Sequence, residues 1–480
     1  MTFGTSRGAA QNPPTMRRAL AFLCLASPLL VMADPNPAQR AQAVLDELRE
    51  LSGVPGMAAA VWQGGQLRWH GESGWRDVAR GLPVQADTRF RLASVSKPFA
   101  AVASAQLKAR GLLATDQPVG KWLPELPAPL AAVTPSQLAA HLSGLPHYEA
   151  QDAGIGKTYY PTARESLVHL QDRTLGSAPG SRYRYSSWGY TLLAAVAEAA
   201  AGKPYLDLLA TQVAPGLDIG PDLTGKSPAM TLAYAFDAGR AVPGPDFDYS
   251  YSWGGAGLAA TAPALAAWGG RFLQGRVVDA ATRDWMWQPV LDTTGQPVGE
   301  RGFKMGFGWR LDSDAQGQLR VHHAGATLGA RSVLLLLPRG DMSVSLLSNA
   351  MWTVGIERSA ELLSAPFRPP VEDLPAMPCP VAATRFEGEM GGGPVAGTAS
   401  FRLDANGVCR GQFSLPVTLA KVVNPGPQPA TDRMLVVGLQ GELARAALVT
   451  SIGLGDWQAQ ADGTVRIEGP ASLRGVLRLR

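Results

Sequence analysis

Apolar positions along the chain follow two rhythms, one of period near 3.6 and one of period 2. Ala38 to Leu51 has helical spacing. Met57 to Trp62 and Gln66 to Trp69 flank a Gly64-Gly65 pair and predict a β-hairpin. Ala100 to Arg110 returns to the helical rhythm and stops at Gly111. Tyr190 to Ala201 repeats it and stops at Gly202. Ser332 to Pro338 and Met342 to Leu347 predict a second hairpin, turning at Arg339 to Asp341. Strands at both ends with helices between them predict one sheet built from the two termini of a domain, an α+β arrangement.

The rhythm then breaks. Pro366, Pro369, Pro370, Pro375, Pro378 and Pro380 crowd one stretch that supports neither a helix nor a central strand. Beyond it, Ala399 to Leu403, Arg410 to Leu415 and Thr464 to Ile467 alternate, with turn pairs at Asn406-Gly407 and Asp462-Gly463. The organisation expected is therefore a signal peptide over residues 1–33, a mixed α+β domain over 34–368, a linker over 369–380 and a small antiparallel β domain over 381–480. The leader rests on Met16-Arg17-Arg18 followed by the apolar run from Ala19 to Val31 and small or aliphatic residues up to Ala33.

A leader changes how charge and cysteines are read. The formal charge of +4 includes Arg7, Arg17 and Arg18 with no acid before Asp34, so the mature chain sits near +1. That balance, without a later basic run, is no footprint for nucleic acid. Nearly half the residues are apolar and 17% are charged, a globular composition, and no stretch is long enough to span a bilayer. Cys24 leaves with the leader. Cys379 and Cys409 remain for an oxidising compartment, where a bond between them and two separate buried thiols are both open. The expected location is periplasmic or secreted, and the oligomeric state is not readable.

Three short segments carry candidate chemistry. Ser94 stands three residues before Lys97 at a helix start, which puts both side chains on one face. A chain this long holds roughly one such spacing by chance. Tyr185, in Tyr185-Ser186-Ser187, can act as a base only where a cation stabilises its anion, and a buried Lys97 supplies one; a plain core aromatic is the other reading. His323-Ala324-Gly325 puts a glycine on a strand edge, where substrate backbone can approach closely. His322 and His323 point to opposite faces of a strand, and His323 is chosen for the site. Other chemistries find no support. Gly255 to Ala260 superficially matches a dinucleotide fingerprint but has no βαβ unit around it, so it reads as a tight loop lining the pocket. No Gly-x-Ser-x-Gly elbow is present, and the six histidines lack metal-ligand spacing. His141 and His147 read as structural loop residues. No metal or cofactor is expected.

Thr88 to Phe99, Leu138 to Pro146, Tyr185 to Tyr190, Trp253 to Gly257 and His323 to Gly325 together resemble the serine beta-lactamase and penicillin-binding protein superfamily, class C-like branch. The segments His141 to Tyr148 and Tyr185 to Ala195 look especially like mitochondrial serine beta-lactamase-like proteins and their bacterial relatives. The resemblance implies a beta-lactamase/transpeptidase-like fold, an antiparallel sheet flanked by helices with a helical subdomain. It implies Ser94 as nucleophile, Lys97 and Tyr185 as its proton-handling partners, and backbone N–H groups of Ser94 and Ala326 as an oxyanion hole. Ser187, Gly325, Trp253 and Arg331 are expected to contact a small-molecule or peptide substrate. Two departures, His323 for a lysine and Ser187 for an asparagine, point away from an efficient beta-lactamase and towards a peptidase or esterase. Arg331 is the candidate replacement cation.

Overall fold

The computed structural model describes residues 1, 2, 4, 36–237, 240–300, 302–314, 316–352, 355–380, 384–414, 433–450, 453–469 and 473–480. Apart from residues 1, 2 and 4, the expected signal peptide with its Cys24 lies outside them. From Pro35 to Arg480 the chain forms one compact unit.

A nine-stranded antiparallel sheet organises the first part of that unit. Its centre joins the two ends of the catalytic domain, since Gly56–Gln63 pairs with Met342–Ser348 from Met57↔Ser348 to Gln63↔Met342. Both expected hairpins flank that seam, Gly56–Gln63 with Gln66–Asp77 and Ala330–Leu337 with Met342–Ser348. Gly64 and Gly65 take φ of 60° and 85°, the conformation that the first turn requires. Strand alternation then sorts the side chains into two layers. Leu334 and Leu336 enter a core with the helices Lys97–Ala109, Ser187–Ala201 and Ala262–Leu273. Val333 and Leu335 face the other way, onto Pro37–Ser52 and Ile356–Leu363.

Two helices begin earlier than their apolar rhythm predicts. The helix expected from Tyr190 opens at Ser187, because Ser186 caps it by accepting the Gly189 N–H at 3.1 Å. The helix expected from Ala100 opens at Lys97, with Pro98 in its first turn.

The last hundred residues close into a barrel of eight strands in sequence order, sealed where Thr384–Met390 pairs with Gly475–Leu479. Phe386, Phe401, Phe413 and Trp457 fill its interior. The outer faces of Val437, Leu439, Val449 and Leu454 join the second core layer of the sheet domain. The proline-rich stretch is tied down along the barrel and does not run free. Val371 N–H donates to the Gln440 side chain at 2.9 Å, Leu443 N–H donates to the Met377 carbonyl at 3.0 Å, and Cys379 is disulfide-bonded to Cys409.

Candidate active site

Ser94 sits in a 3-10 turn, Ala93–Ser96, between the short strand Phe90–Arg91 and the Lys97–Ala109 helix. The residue before it, Ala93, holds φ at 48°, a left-handed conformation that costs a non-glycine residue roughly 1 kcal/mol or more. The turn leaves Ser94 partly exposed while Lys97, one turn on, is fully buried. Lys97 Nζ lies 3.0 Å from Ser94 Oγ, 2.9 Å from Ser187 Oγ and 2.8 Å from the Gly255 carbonyl. The Tyr185 hydroxyl donates to Ser94 Oγ at 2.8 Å. The lysine nitrogen also stands 4.9 Å from the Tyr185 ring centre and 5.5 Å from that of Tyr190. Two groups, one of them 91 residues away in sequence, thus meet on one hydroxyl.

Their electrostatics are matched. Burial pulls the Lys97 ammonium below its ordinary range, partly opposed by Tyr185. Burial pushes the Tyr185 phenol up, but the Lys97 and Arg310 charges and the bonds from Lys97 and Ser94 outweigh it, and the net direction is down. An amine that loses its proton easily and a phenol that parts with its own more easily than usual can share the Ser94 proton.

Gly325 forms the opposite wall. A methyl group there would come within 2.9 Å of Ser94 N and collide with the Leu92 carbonyl and Ser332 Oγ, so only glycine lets Leu319–Thr327 lie against the nucleophile's backbone. Ala326 follows at the exposed lip of that strand, paired with Arg331. His323 shares the Gly325 face but is fully buried. Its Nδ1 bonds the Ala324 carbonyl at 2.9 Å, and Nε2 has no hydrogen-bond partner. Burial, then the Arg310 and Lys97 charges, push its pKa far below the usual imidazole value, so the ring is neutral.

Two expected substrate contacts are corrected. Trp253 is 1% exposed and gives its indole N–H to the Tyr160 carbonyl at 2.9 Å, a core position closed to ligands. Arg331 alternates with Ser332, whose hydroxyl bonds Leu92 O beside Ser94, so the arginine leaves from the other face of the sheet, where its Nη1 lies 3.5 Å from the Gly325 carbonyl. It does not replace a cation beside Ser94. Ser187 is in the site, bonded to Lys97.

Reading the sequence missed the supports. The Gly255 carbonyl holds Lys97, in the loop expected to line the pocket. His141 is 1% exposed at φ 60°, and its ring lies 4.3 Å from that of Tyr185. Its Nδ1 accepts the Ser186 N–H at 3.1 Å. Burial and nearby Lys97 keep it neutral, so it packs the phenol without adding a competing charge. His147 Nδ1 accepts the Ser187 N–H at 3.3 Å. The segment from His141 to His147 was visible as a motif, but nothing in its composition named the tyrosine it supports. Among the described residues no cluster of three or more His, Cys, Asp or Glu is placed to hold a metal.

A serine hydroxyl held between a buried amine and a phenol, in a two-layer sheet domain, defines a serine hydrolase. The chain belongs to the beta-lactamase family, whose family model, described as "Beta-lactamase", matches residues 41–364. It is 26% identical over 406 residues to the mitochondrial serine beta-lactamase-like protein LACTB of Homo sapiens, covering 65% of this chain and 74% of that protein. Over 183 residues it is 38% identical to esterase EstB of Burkholderia gladioli, covering 35% of this chain and 46% of the esterase. The octameric penicillin-binding protein homologue from Pyrococcus abyssi shares the fold over 92% of this chain and 99% of its own, with a TM-score of 0.58 at 18% identity.

Proposed function

We propose that Ser94 is the acyl-accepting nucleophile of an exported hydrolase that cleaves ester or amide bonds, peptides included, in small substrates. The observation that carries this is the meeting of Lys97 Nζ and Tyr185 Oη on Ser94 Oγ, at 3.0 and 2.8 Å. Ser94 attacks a carbonyl as its proton passes to the Lys97–Tyr185 pair. The Ser94 and Ala326 N–H groups receive the developing oxyanion. Tyr185 then helps activate the water that releases the acyl group.

An ester or amide without an anchored carboxylate fits better than a beta-lactam. His323 occupies the place of the beta-lactamase lysine as a buried neutral ring, and a neutral ring offers an anion little. The likeness to esterase EstB supports the same side. The Cys379–Cys409 bond supports export, since such bonds persist in oxidising compartments. Purified mature protein and its Ser94→Ala variant are treated with a fluorophosphonate probe, a fluorescent penicillin and a chromogenic cephalosporin. Labelling by the probe that the variant loses, without cephalosporin turnover, is the expected result. Rapid cephalosporin hydrolysis makes the chain a beta-lactamase, and no labelling at all makes it a silent scaffold. An N-terminus that still carries Arg17 and Arg18 after expression in an exporting host would sink the export reading.

A further inference from the structure

Where the chain leaves the sheet domain and runs onto the barrel, two arginines line one small cavity. Arg368 comes from the linker, just after the 3-10 turn Ala365–Phe367, and Arg445 opens the barrel strand Arg445–Thr450. Pro366, Pro370, Leu439 and Gln440 make up most of the remaining wall, and among the described residues no aspartate or glutamate lines it. The Gln440 amide is already occupied, bonding both the N–H and the carbonyl of Val371. The cavity measures about 130 Å³. Drug-sized ligands take roughly 300–1,000 Å³, so only a group of a few heavy atoms fits.

Both guanidinium groups keep one edge out of their ion pairs. Arg445 grips Asp456 through Nε and Nη2, at 3.0 Å each. Arg368 gives Nη2 to the Glu361 carbonyl at 2.8 Å, and its Nε is buried without a hydrogen-bond partner. No hydrogen bond among the described residues uses Nη1 of either arginine. The two side chains are only 21% and 11% exposed, so these donors are held in place and largely withdrawn from water. Charge is out of balance as well. Arg320, Arg358, Arg368 and Arg445 are tied to three carboxylates, those of Asp312, Glu361 and Asp456. Burial pulls the Arg368 guanidinium below its ordinary range; Glu361 opposes that pull and Arg445 adds to it. The cation is short of counter-charge.

We propose that this cavity is a binding site for a small oxyanion, a phosphate or a carboxylate group, which bridges Arg368 and Arg445. Guanidinium groups hold both kinds of anion through short, charge-assisted N–H bonds. The proline and leucine walls keep the local dielectric low, which strengthens such bonds. The anion supplies the negative charge that the four arginines lack. Because Arg368 belongs to the linker and Arg445 to the barrel, a bound anion fastens one to the other and stabilises the docked barrel by mass action. None of the lining residues belongs to the constellation around Ser94, so this site stands or falls independently of the hydrolase reading.

The test is isothermal titration of the purified protein with inorganic phosphate, sulfate and acetate, at an ionic strength held constant with sodium chloride. The expected result is saturable binding of one anion per chain with a Kd of about 1 mM or tighter, and a Tm that rises with occupancy. Arg368→Gln removes one donor group. Ala365→Leu fills the cavity and leaves both arginines in place. Each variant is expected to weaken binding about 10-fold or more without changing the circular dichroism spectrum. Phosphate and sulfate binding more tightly than acetate makes the ligand an inorganic oxyanion; the reverse order makes it a carboxylate. Wild-type crystals grown with selenate locate the ion without any variant, and an anomalous peak between Arg368 and Arg445 is expected. Failure of all three anions to saturate the wild type by about 10 mM overturns the proposal. So does full retention of binding in either folded variant, or selenate found only elsewhere.

Discussion

At Gly325 the absence of a side chain does chemical work. An added methyl group meets Ser94 N at 2.9 Å and crowds the Leu92 carbonyl and Ser332 Oγ, none of them the tip of a long flexible chain. Gly325→Ala must therefore push the strand away from the nucleophile. The expected outcome is a stability loss of about 1–3 kcal/mol by denaturant titration and a fall in kcat/KM of roughly 100-fold or more. An active variant would show that the strand has room to move. The Ser94-to-Lys97 spacing, Tyr185 and Gly325 were all legible as a pattern, because short motifs preserve local geometry. Arg331 and Trp253 were not placed correctly. Which face a side chain leaves from depends on strand register, and whether an indole reaches a pocket depends on what packs over it. Neither is encoded within a few residues.

The elements that carry these residues are set at their ends. Ser186 caps the Ser187–Ala201 helix through Gly189 N–H and also donates to the Pro146 carbonyl at 2.7 Å, which ties the helix start to the loop carrying His147. Ser186→Ala removes the cap and leaves a buried carbonyl without that donor. A loss of about 1–2 kcal/mol in chemical unfolding is expected, with a larger relative loss of activity than of stability, because Ser187 and Tyr185 flank the cap. Helix ends were the least legible part of the sequence for a physical reason. Apolar rhythm marks where a helix buries a face, whereas its first turn is decided by which oxygen is free to receive its N–H groups. At Ser186 that oxygen was in plain view, but the apolar rhythm, starting at Tyr190, outweighed it.

Beside the apolar layer they share, the sheet domain and the barrel are joined by charges. Glu361, in the Ile356–Leu363 helix, is 3% exposed and bonds Arg320 of the main sheet at 2.6 Å and Arg358 at 3.0 Å. Arg368 lies 3.4 Å away. Arg358 reaches Asp456 of the barrel at 3.6 Å, and Arg445 holds that aspartate from the neighbouring barrel strand at 3.0 Å. Burial pushes the Glu361 carboxyl up, but Arg358, Arg368 and Arg320 outweigh it and hold it below the usual glutamate range. A carboxylate with a lowered folded pKa contributes stability above its unfolded value and loses it as pH falls through the folded one. Glu361→Gln, which removes a shared carboxylate while Arg320 keeps Asp312 and Arg358 keeps Asp456, is expected to cost about 1–3 kcal/mol at pH 7. The gap between wild type and variant should narrow as pH drops below about 4. A gap that stays constant from pH 7 to pH 3 would mean that the carboxylate charge is not what joins the layers.

By itself the sequence determined the kinds of element, the joining of the two ends of the catalytic domain in one sheet, the change to β structure after the prolines and the three segments that bear the chemistry. Each of these rests on periodicity or on spacing within a turn or two, where covalent geometry leaves few choices. Only the tertiary structure decided that Lys97 and Tyr185 converge on Ser94, that His141 packs the phenol, that Ser187 bonds Lys97 and that the C-terminal strands close into a barrel locked against the sheet domain. Most of those outcomes depend on groups tens to hundreds of residues apart coming into direct contact. Packing the whole core sets such distances, and no local pattern can.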